Sequence, residues 1–110
     1  MKVDIKGHTT TLRNTQGDCL AFLDKVTTQY QSYKEQNLIL DMSQDKDITL
    51  KEIKLFGDLS KMHKKAKKSF VIVVDGIDFN AVPSKMTVVP SLLEAHDIIE
   101  MEEIERDLGF

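Results

Sequence analysis

Apolar and polar residues alternate from the start of the chain. Val3 and Ile5 fall between Lys2, Asp4 and Lys6, the period of a strand with one covered face. Gly7-His8 breaks the alternation, and the β-branched run Thr9-Thr10-Thr11 with Leu12 follows. Gly in the first place of a two-residue loop signals a type II′ hairpin, so the pattern predicts strands over 2–6 and 9–13. The turn-like stretch Asn14-Thr15-Gln16-Gly17-Asp18 offers helix caps. Beyond it Leu20, Leu23, Val26 or Thr27, Tyr30 and Tyr33 recur every three or four residues, which predicts an amphipathic helix over 18–35.

Leu38-Ile39-Leu40 is a short unbroken apolar run, as in a strand covered on both faces, and is expected at 38–41. After the polar loop Ser43-Gln44-Asp45-Lys46-Asp47, a helix over 49–67 is traced by Ile53, Phe56, Leu59, Met62 or His63, and Ala66. Phe70–Val74 reads as the central strand, 76–85 carries no helical period, and Thr87-Val88-Val89 is a further short strand closed by Pro90. Ser91-Leu92-Leu93-Glu94 is a capping box. The final helix then runs to about residue 107 on Leu92, Ala95, Ile98 or Ile99, Met101, Ile104 and Leu108. The order β-β-α-β-α-β-β-α contains strand–helix–strand crossovers. These require a mainly parallel or mixed sheet, here of four to five strands with helices packed on it, which is the α/β class. No linker, low-complexity segment or repeat divides the chain, so one domain over 1–110 is expected.

A composition of 41% hydrophobic and 30% charged residues supports a folded core. The net charge of −3 argues against a generic nucleic-acid binder, which needs a basic excess. No apolar run reaches the roughly 18 residues that span a bilayer, and the charged start lacks a signal peptide's apolar segment. A single cysteine, Cys19, excludes an intramolecular disulfide and suits a reducing, cytoplasmic setting.

Candidate chemistry is sparse. His8, His63, His96 and Cys19 form no His-x-His, Cys-x-x-Cys or His-Glu-x-x-His spacing, so neither a metal nor a catalytic centre is expected. The five glycines are too scattered for a phosphate-cradling loop, and no cofactor is expected. Cys19, within Cys19-Leu20-Ala21-Phe22, reads as a core residue rather than a nucleophile. The lysines at the end of the second helix, Lys61, Lys64, Lys65, Lys67 and Lys68, complement its dipole and interleave with no aromatic, a weak signal for nucleic acid. The last helix mirrors them with Glu94, Asp97, Glu100, Glu102, Glu103, Glu105 and Asp107. A basic patch and an acidic face on one small domain suit the steering of a protein partner.

The strand ending Leu38-Ile39-Leu40-Asp41-Met42-Ser43, the helix Leu50–Lys67, the strand Phe70–Val74, and Val88-Val89 before Ser91-Leu92-Leu93-Glu94-Ala95 follow one another in a familiar order. From Asn37 onward the chain resembles the STAS domain, the fold of bacterial anti-sigma factor antagonists. There the matching stretches read leucine–aspartate–leucine–serine and serine–leucine–glutamate–glutamate–alanine. The family's switch, aspartate–serine–serine–glycine with a serine phosphorylated by the partner kinase, corresponds to Asp47-Ile48-Thr49-Leu50 here. The aspartate is kept, one hydroxyl survives as Thr49, and the glycine is absent. The stretch 76–85, helical in that family, departs from it. The resemblance implies a partner-binding, regulatory surface that includes Ser43, Asp47 and Thr49. The residues themselves read Thr49 as an N-cap.

The chain's end, from Glu94-Ala95-His96-Asp97 to Asp107-Leu108-Gly109-Phe110, is also similar to a small Bacteroidetes group that carries a ribonuclease Z label. The His-x-His-x-Asp-His ligand set of that nuclease is absent from this sequence. Two expectations follow. The first is a non-catalytic, STAS-like regulatory module that binds a protein, with a homodimer compatible and a membrane not expected. The second is an RNA-associated accessory protein, or an enzyme of ribonuclease Z-related function, acting through Lys61–Lys68.

Overall fold

A computed structural model describes residues 1–109, and its five strands lie in one sheet in the order of the chain. β1 (Lys2–Lys6) and β2 (Thr9–Arg13) form the antiparallel hairpin. Gly7 takes φ +59° while His8 keeps a negative φ, the φ pattern of a type II′ turn. β3 (Asn37–Asp41), β4 (Phe70–Val73) and β5 (Thr87–Val89) then add in parallel, each beside its predecessor. The fold is therefore the expected α/β arrangement, a mixed five-stranded sheet with helices packed on it.

Helices cover both faces of that sheet. On one face lie α1 (Cys19–Thr28), the single turn α2 (Tyr30–Tyr33), α3 (Leu50–Lys54) and α4 (Gly57–Lys65). They bury Phe22, Val26, Ile53 and Phe56 against Leu12, Leu38, Leu40, Phe70 and Ile72. On the other face α5 (Leu92–Asp107) alone sets Ala95 and Ile99 on Ile39, Val71, Val73 and Val89. Because side chains alternate along a strand, β3 and β4 feed both clusters, which is why their sequences run apolar without a break.

Both long predicted helices are interrupted. The first breaks at Gln29, after the β-branched run Val26-Thr27-Thr28 that a helix accommodates poorly. Its buried stripe is Cys19, Phe22, Val26 and Tyr30: Val26 and Tyr30 are as expected, but Cys19 and Phe22 take the places of Leu20 and Leu23, and Leu20 faces solvent. The second tightens at its middle, where Leu55 N donates to Glu52 O and Phe56 N to Ile53 O, before α4 starts at Gly57. Ile53, Phe56 and Leu59 pack on the sheet as expected, but Met62 is 48% exposed and His63 is wholly buried. Three successive steps of three residues carry a side chain roughly 180° around a helix, whereas His63, seven after Phe56, returns to the same face. Within 76–85 there is only a 3-10 turn, Phe79–Ala81, capped by Asp78. Along α5, Met101, Ile104 and Leu108 point to solvent instead of continuing the core stripe.

Candidate functional site

Open parallel sheets present their binding groups beyond the carboxyl ends of the strands, where the loops gather. Here β2 and β3 end side by side on Arg13 and Asp41, paired in register, and Asn14 N extends the ladder to Asp41 O at 2.9 Å. The Asp41 side chain is 2% exposed. It accepts from Arg13 Nε at 3.1 Å, from Ser43 N at 3.0 Å and from the Ser43 hydroxyl at 2.6 Å. A buried carboxylate is tolerable only when paired and hydrogen-bonded, and this one has both. Arg13, with 34% of its side chain exposed, is the node's outlet to solvent.

The loop that follows is held from within. Asp45 is buried, its N–H donates to Met42 O and its carboxylate accepts from Asp47 N at 3.2 Å. Ile48 anchors in the core. Outside these anchors Gln44, Lys46, Asp47 and Thr49 are exposed on a loop of fixed shape. Thr49 is the N-cap of α3 and closes a capping box: Glu52 N donates to the Thr49 hydroxyl oxygen at 3.2 Å, and Thr49 N donates to Glu52 Oε1 at 3.0 Å. The start of α1 lies against the same loop. Burial pushes the Cys19 thiol up to about 12, and the carboxylates of Glu52, Asp45 and Asp18 add to it, so Cys19 is a core thiol.

Ser43, Asp47 and Thr49 thus lie along one loop but have separate tasks. Ser43 is turned in to Asp41, Asp47 is open, and Thr49 spends its hydroxyl on a helix end. Three of the five lysines gather at one cleft, and Lys61 and Lys65 stand apart from it. Lys64 Nζ donates to Lys85 O at 2.8 Å and to Thr87 Oγ1 at 3.0 Å, and burial lowers its pKa against the opposing pull of Glu102. Lys64, Lys67 and Lys68 border a cleft of about 480 Å³ with Glu102, Glu105 and Arg106, where acid answers base. Lys61 and Lys65 remain exposed on α4. Among the described residues no three His, Cys, Asp or Glu side chains form a group that could hold a metal.

Two polar nodes at the opposite end of the sheet were not singled out by spacing. His63 is enclosed on the helix-rich face, with Nδ1 2.6 Å from the Tyr30 hydroxyl and Nε2 2.7 Å from Gln36 O. Burial lowers the His63 pKa, Lys68 adds to that, and the Gln36 carbonyl works against it. On the other face Arg106 donates to the Ser69 hydroxyl at 3.2 Å and to Asn37 Oδ1 at 3.3 Å, while Ser69 donates to Glu102 at 2.5 Å, which ties α5 to β3 and β4.

Fold and site together define an α/β domain of mixed sheet whose carboxyl-end loop is braced by an Arg–Asp–Ser node around the buried Asp41. No protein-family model matches the chain, and no curated protein matches it in sequence. Among the described residues no helix is long and apolar enough to cross a membrane.

Proposed function

We propose that the protein is a non-catalytic regulatory module that binds a protein partner through the 43–49 loop and the start of α3, as the STAS resemblance implies. The observation that carries this reading is the bracing of that loop. Asp41, Asp45 and Ile48 hold it from inside while Gln44, Lys46, Asp47 and Thr49 face out, so little ordering entropy remains to be lost on association. The Thr49 hydroxyl serves as a cap rather than a switch in this reading. A phosphate there would gain from the helix amino end but would meet the Glu52 carboxylate, whose Oε1 already lies 3.2 Å from the Thr49 oxygen.

The test is affinity capture from native cells by the wild-type chain and by Asp47→Lys, with Lys65→Glu as the control, read by quantitative mass spectrometry. Proteins retained by wild type and by the control but lost with Asp47→Lys support the reading. Capture indifferent to Asp47 refutes it. Mass spectrometry of the native protein tests the Thr49 assignment, because substantial phosphate at Thr49 would make it a switch.

A further inference from the structure

The last helix carries a second apolar stripe that the fold leaves uncovered. Ala95 and Ile99 face the sheet, yet Leu93, Met101, Ile104 and Leu108 are 73%, 61%, 55% and 67% exposed. At 100° per residue these four fall within about 80° of arc on the outward side of α5. Glu100 and Asp107 border the stripe on one side, Glu94 and Glu105 on the other, and Asp97 lies within it. Single exposed apolar residues are ordinary, but four aligned along one helix mark a contact surface.

Elsewhere on the molecule lies the chemical complement. Between α4 and the 83–86 segment is a groove of about 530 Å³. Gly57, Pro83 and Met86 line its apolar base, and Lys54, Lys61 and Lys85 add their methylene stems and rim it with ammonium groups. Lys64, which borders it too, is committed to Lys85 O and Thr87. The groove is concave, apolar and positive at its margin; the Met101–Ile104–Leu108 end of the α5 stripe, beyond Asp97, is convex and apolar, with Glu100, Glu105 and Asp107 at its margin. We infer that the groove of one molecule receives the α5 stripe of a second copy of this chain, the apolar surfaces supplying affinity and the Lys and Glu margins supplying orientation. The groove shares no lining residue with the 43–49 loop.

Two variants of the full chain test the contact by sedimentation velocity, with circular dichroism to verify folding. Met101→Gln, Ile104→Gln and Leu108→Gln together destroy the stripe but keep the groove. Lys54→Glu, Lys61→Glu and Lys85→Glu together destroy the groove but keep the stripe, and among the described residues none of these lysine ammonium groups makes a hydrogen bond within the fold. Wild type is expected to associate as concentration rises to about 1 mM, a range in which a contact of about 4 kcal/mol populates the complex. Added salt should weaken that association severalfold. Each variant alone should be monomeric, and an equal mixture should recover a one-to-one complex, because one intact stripe and one intact groove remain. A wild type monomeric throughout, a variant that associates like wild type, or a mixture that stays monomeric overturns the inference. So does a groove that takes an acidic amphipathic helix of another protein while the wild-type chain does not self-associate.

Discussion

Acid should destabilise this protein through one side chain, His63. It is wholly buried, and the raised pKa of Tyr30, due to burial and then to Glu35, keeps the phenol protonated. The neutral imidazole therefore donates from Nε2 to Gln36 O and accepts the Tyr30 proton at Nδ1. Protonation would make Nδ1 a donor, oblige the Tyr30 hydroxyl to turn its proton away and accept across 2.6 Å, and bury a charge. The folded pKa is accordingly below the ordinary 6.5, so the unfolded chain takes up a proton that the folded chain refuses. Stability from this group is complete above pH 6.5 and is lost as pH falls below it, by at most about 1.4 kcal/mol per pH unit. From pH 7 to pH 5 the limit is about 2 kcal/mol, a large share of the 5–15 kcal/mol that holds a small domain together. Urea unfolding across that interval, with wild type beside His63→Gln, isolates the contribution because other titrating groups are common to both. Parallel pH dependences would refute the reasoning, and so would a His63 ring seen by NMR to titrate at its ordinary value in the folded protein.

Three further changes have definite expected outcomes. Phe56→Ala should cost roughly 3–5 kcal/mol, because the ring is wholly buried beside Phe22 at 6.3 Å between centroids; an unchanged melting temperature would contradict the packing of α3 and α4. Thr49→Ala should cost about 1 kcal/mol in chemical denaturation and leave partner capture untouched, the behaviour of a cap. Cys19 should react with a thiol reagent at pH 8 only as fast as the chain opens, and at once in denaturant; prompt reaction of the native protein would show an accessible thiolate.

What could be read in advance depended on how local the physics was. The hairpin was legible because Gly7 and the β-branched threonines act within a few residues, and the Thr49 and Ser91 caps because a cap needs only its own helix. Faces of helices were less legible. Met62 and His63 are neighbours in sequence, and successive steps of three from Ile53 favour Met62, whereas counting seven from Phe56 puts His63 in the core. The candidate site was legible in part. Asp41 and Ser43 belong to a recognisable strand end, but Arg13 becomes their partner only through the parallel register of β2 on β3, across 28 residues of chain. Arg106, Ser69 and Asn37 are further apart still, and nothing short of the assembled sheet brings them together.

That last cluster bears on how the molecule breathes. On the face α5 covers, the buried apolar contacts come from Ile39, Val71, Val73 and Val89 with Ala95 and Ile99, and the Arg106 node fastens the helix's far end. The helix-rich face holds the larger share of the described core. Sub-global opening follows the smaller buried cluster, so the amides of α5 should exchange with solvent ahead of those in β3 and β4. Arg106→Ala should hasten that exchange along the whole helix while leaving the slowest-exchanging amides of the sheet where they are. Detachment of α5 would expose the faces of β3 and β4 that carry Ile39, Val71 and Val73 in an otherwise folded molecule.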